Sequence, residues 1–311
     1  MKTETLICNN AGEFRRHIDP EKYPRRLPAA MKAAFMVSPV GFSLDSQTAQ
    51  DNRYMRMGES VDPARAMIQQ MALARRIGEC GVPVVTFPGD PQTPDAVFPN
   101  NAFATSHGRR YIVGHMRHEN RQKETTRADI RAFFRSMLGY VEYDLSQQPL
   151  VAELTGALVP DRARNIGFVG MTERVDDAGA RAMAEAFGLD VLFQFDLAAG
   201  EYHTNVVMAV LAGRALVIHP GSFRDPDVPR AISEFYAGRT IFLSDREKLA
   251  FAGNCISITE HDVFFSQTAL EALAPENRRR LQDWGFHLHG VDVGELEKAG
   301  GSLRCMVGEI F

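Results

Sequence analysis

"TNVVMAVLAGRALVIHP", residues 204–220, sets two apolar runs around a short turn that contains Gly213. Aliphatic and β-branched residues on both sides of such a turn spell a β-hairpin. The pattern recurs as "NNAFATSHGRRYIVGHM" from residue 100, "TGALVPDRARNIGFVGM" from 155 and "GNCISITEHDVFFSQT" from 253. Each hairpin is followed by a helical pattern. In "RADIRAFFRSMLGY" it runs through Ile130, Phe133, Phe134 and Met137, and "DDAGARAMAEAFGL" opens on acidic residues and stops near Gly188. "DVPRAISEFYAG" and "PENRRRLQDWG" each end in glycine, as helix termini prefer. A further strand closes each unit: "YVEYDL", "DVLFQFDL", "RTIFLS" and "FHLHGVDV".

Hairpins starting at 101, 155, 204 and 253 are spaced by 54, 49 and 49 residues. A fifth would open near 301, where "GGSLRCMVGEIF" (300–311) supplies a single strand. Its missing parts stand at the other end: a strand "AAFMVSP" (33–39), a helix "PARAMIQQMALARRIGEC" (63–80) and a strand "VPVVTF" (82–87). Pairing the last strand with the first gives an α/β ring of five ββαβ units with pseudo-fivefold symmetry. One unit alone cannot bury its apolar faces, whereas five in a ring can. Residues 31–311 are expected to form this single domain. Residues 1–30, polar and containing proline, are expected as an N-terminal arm.

Composition narrows the function classes. The 311 residues are 45% hydrophobic and 24% charged, ordinary for a globular protein. A net charge of −4 offers no basic field for nucleic acid. No stretch reaches the ~18–20 apolar residues of a membrane span, and "MKTETLICNNAGEFRRHIDP" lacks the apolar run of a signal peptide. The four cysteines, Cys8, Cys80, Cys255 and Cys305, lie far apart without a CxxC pair, so the spacing gives no zinc or redox motif. A cytoplasmic protein with reduced thiols is expected.

Equivalent positions in a ring of like units face one axis. At the hairpin entries stand Asp95 ("PDAVFPNN"), Glu153 ("VAELTGA"), His203 ("EYHTNVV"), Asn254 ("AGNCIS") and Cys305 ("GGSLRC"). Singly, each has a bland reading: a structural thiol, a core histidine, turn chemistry. Recurrence at one repeat position argues for a shared site. A thiolate is a strong nucleophile when a neighbouring imidazolium lowers its pKa. One carboxylate can hold the imidazole's tautomer, and a second can grip a cationic substrate. These parts suit covalent attack on an electrophilic carbon that bears nitrogens.

Through "DAVFPNN", "YHTNVVM" and "GGSLRCMVGEIF", nearly all of the chain after residue 30 resembles the guanidino-group modifying enzymes. This is the amidinotransferase and arginine deiminase superfamily with the pentein fold, a five-bladed α/β propeller. The resemblance implies Cys305 as nucleophile, His203 as general acid and base, Glu153 as its support and Asp95 as the guanidinium anchor. It implies that Arg174, in "VGMTERVDD", matches the family's "GLSxRT" pattern and helps hold the substrate carboxylate. Arg121, in "HENRQKE", is a second candidate for that task, and Asn254 shapes the site. No metal or organic cofactor is implied.

Two departures bear on the substrate. Asn101 and Asn205 are amides where several relatives place carboxylates. A guanidinium only donates, whereas an amide also donates and so can serve a neutral urea. The expected reaction is hydrolysis of a guanidino or ureido group in an arginine-like amino acid, of deiminase or dihydrolase type. A citrulline-type ureidase, an amidinotransferase and a non-catalytic binding ring remain alternatives. Loops 40–60 and 219–229 are expected to grip the substrate's tail. Monomer and homo-oligomer both stay open.

Overall fold

The structure is a computed structural model and describes residues 4–311. Its strands, in chain order, are β1 (Leu6–Cys8), β2 (Ala33–Val37), β3 (Val84–Phe87), β4 (Phe103–Ser106), β5 (Arg110–Val113) and β6 (Val141–Asp144). There follow β7 (Leu158–Asp161), β8 (Ile166–Met171), β9 (Val191–Asp196), β10 (Met208–Leu211) and β11 (Ala215–Ile218). The last are β12 (Thr240–Phe242), β13 (Ile256–Ser257), β14 (Asp262–Ser266), β15 (His287–Val291) and β16 (Gly308–Ile310).

They make five separate sheets. In each, an antiparallel pair is followed by a parallel third strand: β4-β5-β6, β7-β8-β9, β10-β11-β12, β13-β14-β15 and β16-β2-β3. The last strand of the chain therefore joins the first sheet-forming strand of the repeats, with Gly308 opposite Phe35 and Ile310 opposite Ala33. A helix carries each parallel crossover. Pro63–Glu79 starts with proline at its first turn and Asp62 capping Ala64 and Arg65, and Asp177–Phe187 ends on Gly188 at φ 71°.

The buried apolar residues fall into five clusters, each shared by two sheets. Ile112 packs with Leu158 and Val169, Phe168 with Leu216 and Ile218, Val217 with Val263 and Phe265. Phe264 packs with Ala34 and Met36, and Phe35 with Phe103 and Tyr111, which returns to the first sheet. No helix among the described residues is long and apolar enough to cross a membrane.

Several local expectations shift. Residues 154–157 and 204–207, read as strand starts, form one-turn helices before β7 and β10. The helical pattern at 127–140 becomes an α-turn at Ala128–Ala132 and a π-turn at Phe133–Met137. The wider turn leaves Phe134 buried and carries Met137 out to 76% exposure, off the apolar face. In the N-terminal segment, β1 pairs in parallel with β9, and the helix Ala11–His17 seats Phe14 among Phe168, Phe193 and Phe235.

Candidate active site

The one-turn helices at the hairpin entries position the chemistry. Asn101 ends the turn Pro99–Asn101, Glu153 and His203 immediately precede Leu154–Ala157 and Thr204–Val207, and Cys305 lies within Leu303–Met306. Bonds pass from turn to turn. Thr155 Oγ1 donates to the Asn100 carbonyl at 3.0 Å, and Asn205 Nδ2 to the Thr155 carbonyl at 2.9 Å. Asn254 Nδ2 donates to the Asn205 carbonyl at 2.8 Å, and Asn254 Oδ1 accepts from the Arg304 amide at 3.1 Å. The two amides thus fix the frame, and both also touch the nucleophile candidate: Asn254 Nδ2 lies 3.4 Å and Asn205 Nδ2 3.7 Å from Cys305 Sγ.

Glu153 is fully buried and fully engaged. It accepts from His203 Nε2 at 2.8 Å, Arg174 Nη1 at 3.1 Å and the Arg117 amide at 3.1 Å. Burial pushes its carboxyl up, but the Arg174 charge and the His203 hydrogen bond outweigh that and hold it well below its ordinary range. Burial lowers the His203 pKa against the pull of Glu153, so the imidazole rests neutral. Because a carboxylate only accepts, Nε2 carries the proton and Nδ1 keeps a lone pair. Burial likewise pushes the Cys305 thiol up, against the Asn254 hydrogen bond. The resting pair is therefore thiol and imidazole, uncharged, rather than a preformed thiolate.

Cys305, Asp95, Asn101, Arg121, Arg174 and Tyr202 line one narrow cavity. His203 stands behind it, its ring 4.4 Å from that of Tyr202, whose hydroxyl donates to the Gly300 carbonyl at 2.6 Å. Three buried acceptors here have no partner: Asp95 Oδ1, Asn101 Oδ1 and His203 Nδ1. Buried polar atoms are seldom left so, and acceptors of this kind call for a ligand rich in N–H groups. Burial pushes the Asp95 carboxyl up, against the Arg121 charge.

The segment around residue 50 closes the cavity. Thr48 Oγ1 donates to Asp95 Oδ2 at 2.6 Å, and Asp51 accepts from Arg174 Nε at 3.0 Å and His118 Nε2 at 3.1 Å and forms an ion pair with Arg117 Nε at 3.0 Å. Gly300, at φ 73°, lets this segment approach, since an added Cβ would lie 2.6 Å from Asn52 Nδ2. The remaining cavity of about 10 Å³ has room for at most one water.

Both arginines read as carboxylate holders are occupied internally. Arg174 serves Asp51 and Glu153. Arg121 makes two 2.9 Å bonds to Glu124 and donates to the carbonyls of Phe98 at 3.1 Å and Asp95 at 3.4 Å. The sequence reading did not name Thr48, Asp51, Tyr202 or Gly156. Only Gly156 had a local signal, a glycine in the hairpin-entry segment "LTGA" where the unit after His203 has Val206. A Cβ at Gly156 would lie 2.7 Å from His203 Cε1 and 2.8 Å from both His203 Nδ1 and Asn101 Oδ1. Gly156→Ala should therefore displace both groups and lower kcat/KM by about 10²-fold, while circular dichroism stays native.

The sequence pattern of the family described as N,N dimethylarginine dimethylhydrolase, eukaryotic, matches residues 38–311. N(G),N(G)-dimethylarginine dimethylaminohydrolase of Pseudomonas aeruginosa is 22% identical over 250 residues, 79% of this chain and 88% of that protein. Among solved structures, the N-terminal domain of ArgZ, an arginine dihydrolase from the ornithine–ammonia cycle in cyanobacteria, superposes with a TM-score of 0.78. It is 22% identical, over 89% of this chain and 97% of that one. A dimethylarginine dimethylaminohydrolase variant bound as an adduct with S-methyl-L-thiocitrulline gives 0.69 at 21% identity, over 90% and 100%. At such identities the structural likeness is one of fold.

Proposed function

The chain belongs to the N,N dimethylarginine dimethylhydrolase family, and on that premise we propose that it hydrolyses a guanidino C–N bond of an arginine-like amino acid through a covalent intermediate on Cys305. It is a hydrolase of non-peptide C–N bonds in linear amidines, within the guanidino-group modifying superfamily. The observation that carries the mechanism is the set of unpartnered buried acceptors, Asp95 Oδ1, Asn101 Oδ1 and His203 Nδ1. A guanidinium brings donors only and satisfies acceptors of this kind. The fold serves the site as a pentein, five sheets as blades about one axis closed by β16 and β2, with residues 31–311 as the catalytic unit and residues 1–30 as an added arm.

The steps follow from the resting state. The bound cation favours the thiolate, and the Cys305 proton passes to His203 Nδ1. Sulfur attacks the planar central carbon, held in place by Asp95 and Asn101. The C–N bond breaks as His203 returns the proton to the leaving amine. His203 then takes a proton from water, hydroxide attacks the sulfur-bound carbon, and the C–S bond breaks as the proton passes from His203 back to the Cys305 sulfur. The products are an amine, or ammonia, and a ureido compound.

Arginine, N-methylated arginines and citrulline, followed for ammonia, methylamines, citrulline and ornithine, test this reading. Consumption of a guanidine without added acceptor is expected. Turnover only when an acceptor amine is supplied would make the protein a transferase, and no turnover of any guanidino or ureido compound would sink the reading.

Two substitutions separate the roles of binding groups. Asn101→Asp should favour guanidines over ureas by about ten-fold, since a charge-assisted bond contributes on the order of 1–3 kcal/mol to a cation and none to a urea oxygen. Comparing kcat/KM for arginine-like and citrulline-like substrates reads it, and an unchanged ratio would remove Asn101 from substrate selection. Asp51→Asn should lower KM about ten-fold for guanidines bearing a carboxylate, because it frees Arg174 from an internal competitor. For a guanidine without a carboxylate, KM should hold.

A further inference from the structure

We propose a second, structural site: a tetrahedral zinc site formed by Cys80, Asp262, His287 and His289 on the outside of the ring. The spacing of the cysteines along the chain shows none of this, because folding assembles it from three separate segments.

His287 and His289 sit two apart on β15 and so share one face of the strand. Asp262, on the adjacent β14, is the register partner of His287. Cys80 ends the helix Pro63–Glu79 and comes from the neighbouring unit. The ligand atoms of Cys80, Asp262 and His289 all lie within 4.8 Å of one another. One carboxylate oxygen, Asp262 Oδ1, lies 2.8 Å from His289 Nε2 and 3.4 Å from His287 Nδ1. Its other oxygen accepts from Thr259 Oγ1 at 2.6 Å, an outer bond of the kind that orients a metal-ligating carboxylate.

One thiolate, two imidazoles and one carboxylate make the donor set of a four-coordinate zinc, with bonds of about 2.0–2.3 Å. Three of the four ligand atoms already lie within 4.8 Å of one another, and His287 Nδ1 stands 3.4 Å from Asp262 Oδ1. His287, 74% exposed, leaves an entry path from solvent.

Arg76 opposes the site, with Nη2 3.3 Å from His289 Nδ1. Metal on Nε2 moves the imidazole proton to Nδ1, and Arg76 then retains only its 2.6 Å pairing with Glu79. The metal would join the helix between β2 and β3 to the β13-β14-β15 sheet. These two units flank the Cys305 turn. None of the four residues lines the cavity at Cys305.

Untagged protein, stripped with chelator, is titrated with Co²⁺ and then Zn²⁺. Expected at one equivalent of Co²⁺ are a thiolate-to-metal charge-transfer band and the visible bands of tetrahedral cobalt. Both persist in Cys305→Ser, which removes the thiol of the site described above. Cys80→Ser abolishes the charge-transfer band, His289→Asn weakens binding at least ten-fold, and Arg76→Ala does not weaken it. Zn²⁺ displaces the cobalt and raises the unfolding midpoint of the wild type but not of Cys80→Ser, with native circular dichroism confirming that each variant folds. Absence of the thiolate band, or a band that survives Cys80→Ser and vanishes in Cys305→Ser, would overturn the site.

Discussion

Cys305→Ser is expected to lower kcat by on the order of 10⁴-fold or more on whichever guanidine the protein turns over, with the fold intact. Loss of the nucleophile in an enzyme that works by covalent attack has effects of this size. The hydroxyl fits where the thiol is, beside Asn254 Nδ2 at 3.4 Å, so stability should change little. Its pKa is far higher, however, and neither the substrate cation nor the neutral His203 can ionise it to a useful degree. KM should hold, because Asp95 and Asn101 still bind. Steady-state assays with a urea melt check both parts, and near-normal kcat in the serine variant would rule out sulfur attack.

Glu153→Gln should strike stability and activity together. Glu153 and Arg174 are 0% and 1% exposed, and the same carboxylate holds His203. Removing one partner of a buried ion pair costs on the order of 3–5 kcal/mol, since the other charge stays buried without compensation. The retained Asp51 contact to Arg174 places the expected loss near the lower figure. Catalysis should fall by roughly 10²–10⁴-fold, because an amide can turn to either tautomer of the imidazole and no longer stabilises its cation. The pH dependence has a definite sign. The folded carboxyl lies below its ordinary value of 4.5, so its stabilisation is present above that value and fades as pH falls toward the folded pKa. The glutamine variant should lose less stability than wild type between neutral pH and strong acid. Equal acid slopes would show that Glu153 is not the depressed group.

The repeat was legible because alternation and turn residues are local. Hairpins, crossover helices and the pairing of 308–310 with 33–35 all follow from runs of five to fifteen residues and one counting argument. The entry turns were not legible. "LTGA" and "TNVV" carry strand-forming residues, and only packing at the hairpin entries makes them helical. Leu6–Cys8 was hidden in a polar segment, since a three-residue strand shows no period and gains its place from β9. The candidate site residues could be picked out by their repeat positions, but their environments could not. Thr48 and Asp51 find Asp95 and Arg174 across separations of 47 and 123 residues. Nothing in a polar loop announces that its aspartate will occupy the arginine expected to hold substrate. The same closure buries Cys305 and His203, which leaves them neutral where sequence chemistry suggested a thiolate beside an imidazolium.

The central claim is a covalent bond between Cys305 and the guanidino carbon. His203→Gly should slow breakdown of that intermediate by removing the base that activates water. Acid quenching of this variant during turnover, followed by intact-protein and peptide mass analysis, tests the claim most directly. The account predicts one substrate-derived adduct, confined to the peptide that contains Cys305, absent in Cys305→Ser and lost on further incubation. Turnover without any adduct, or an adduct on Cys8, Cys80 or Cys255 instead, would contradict it.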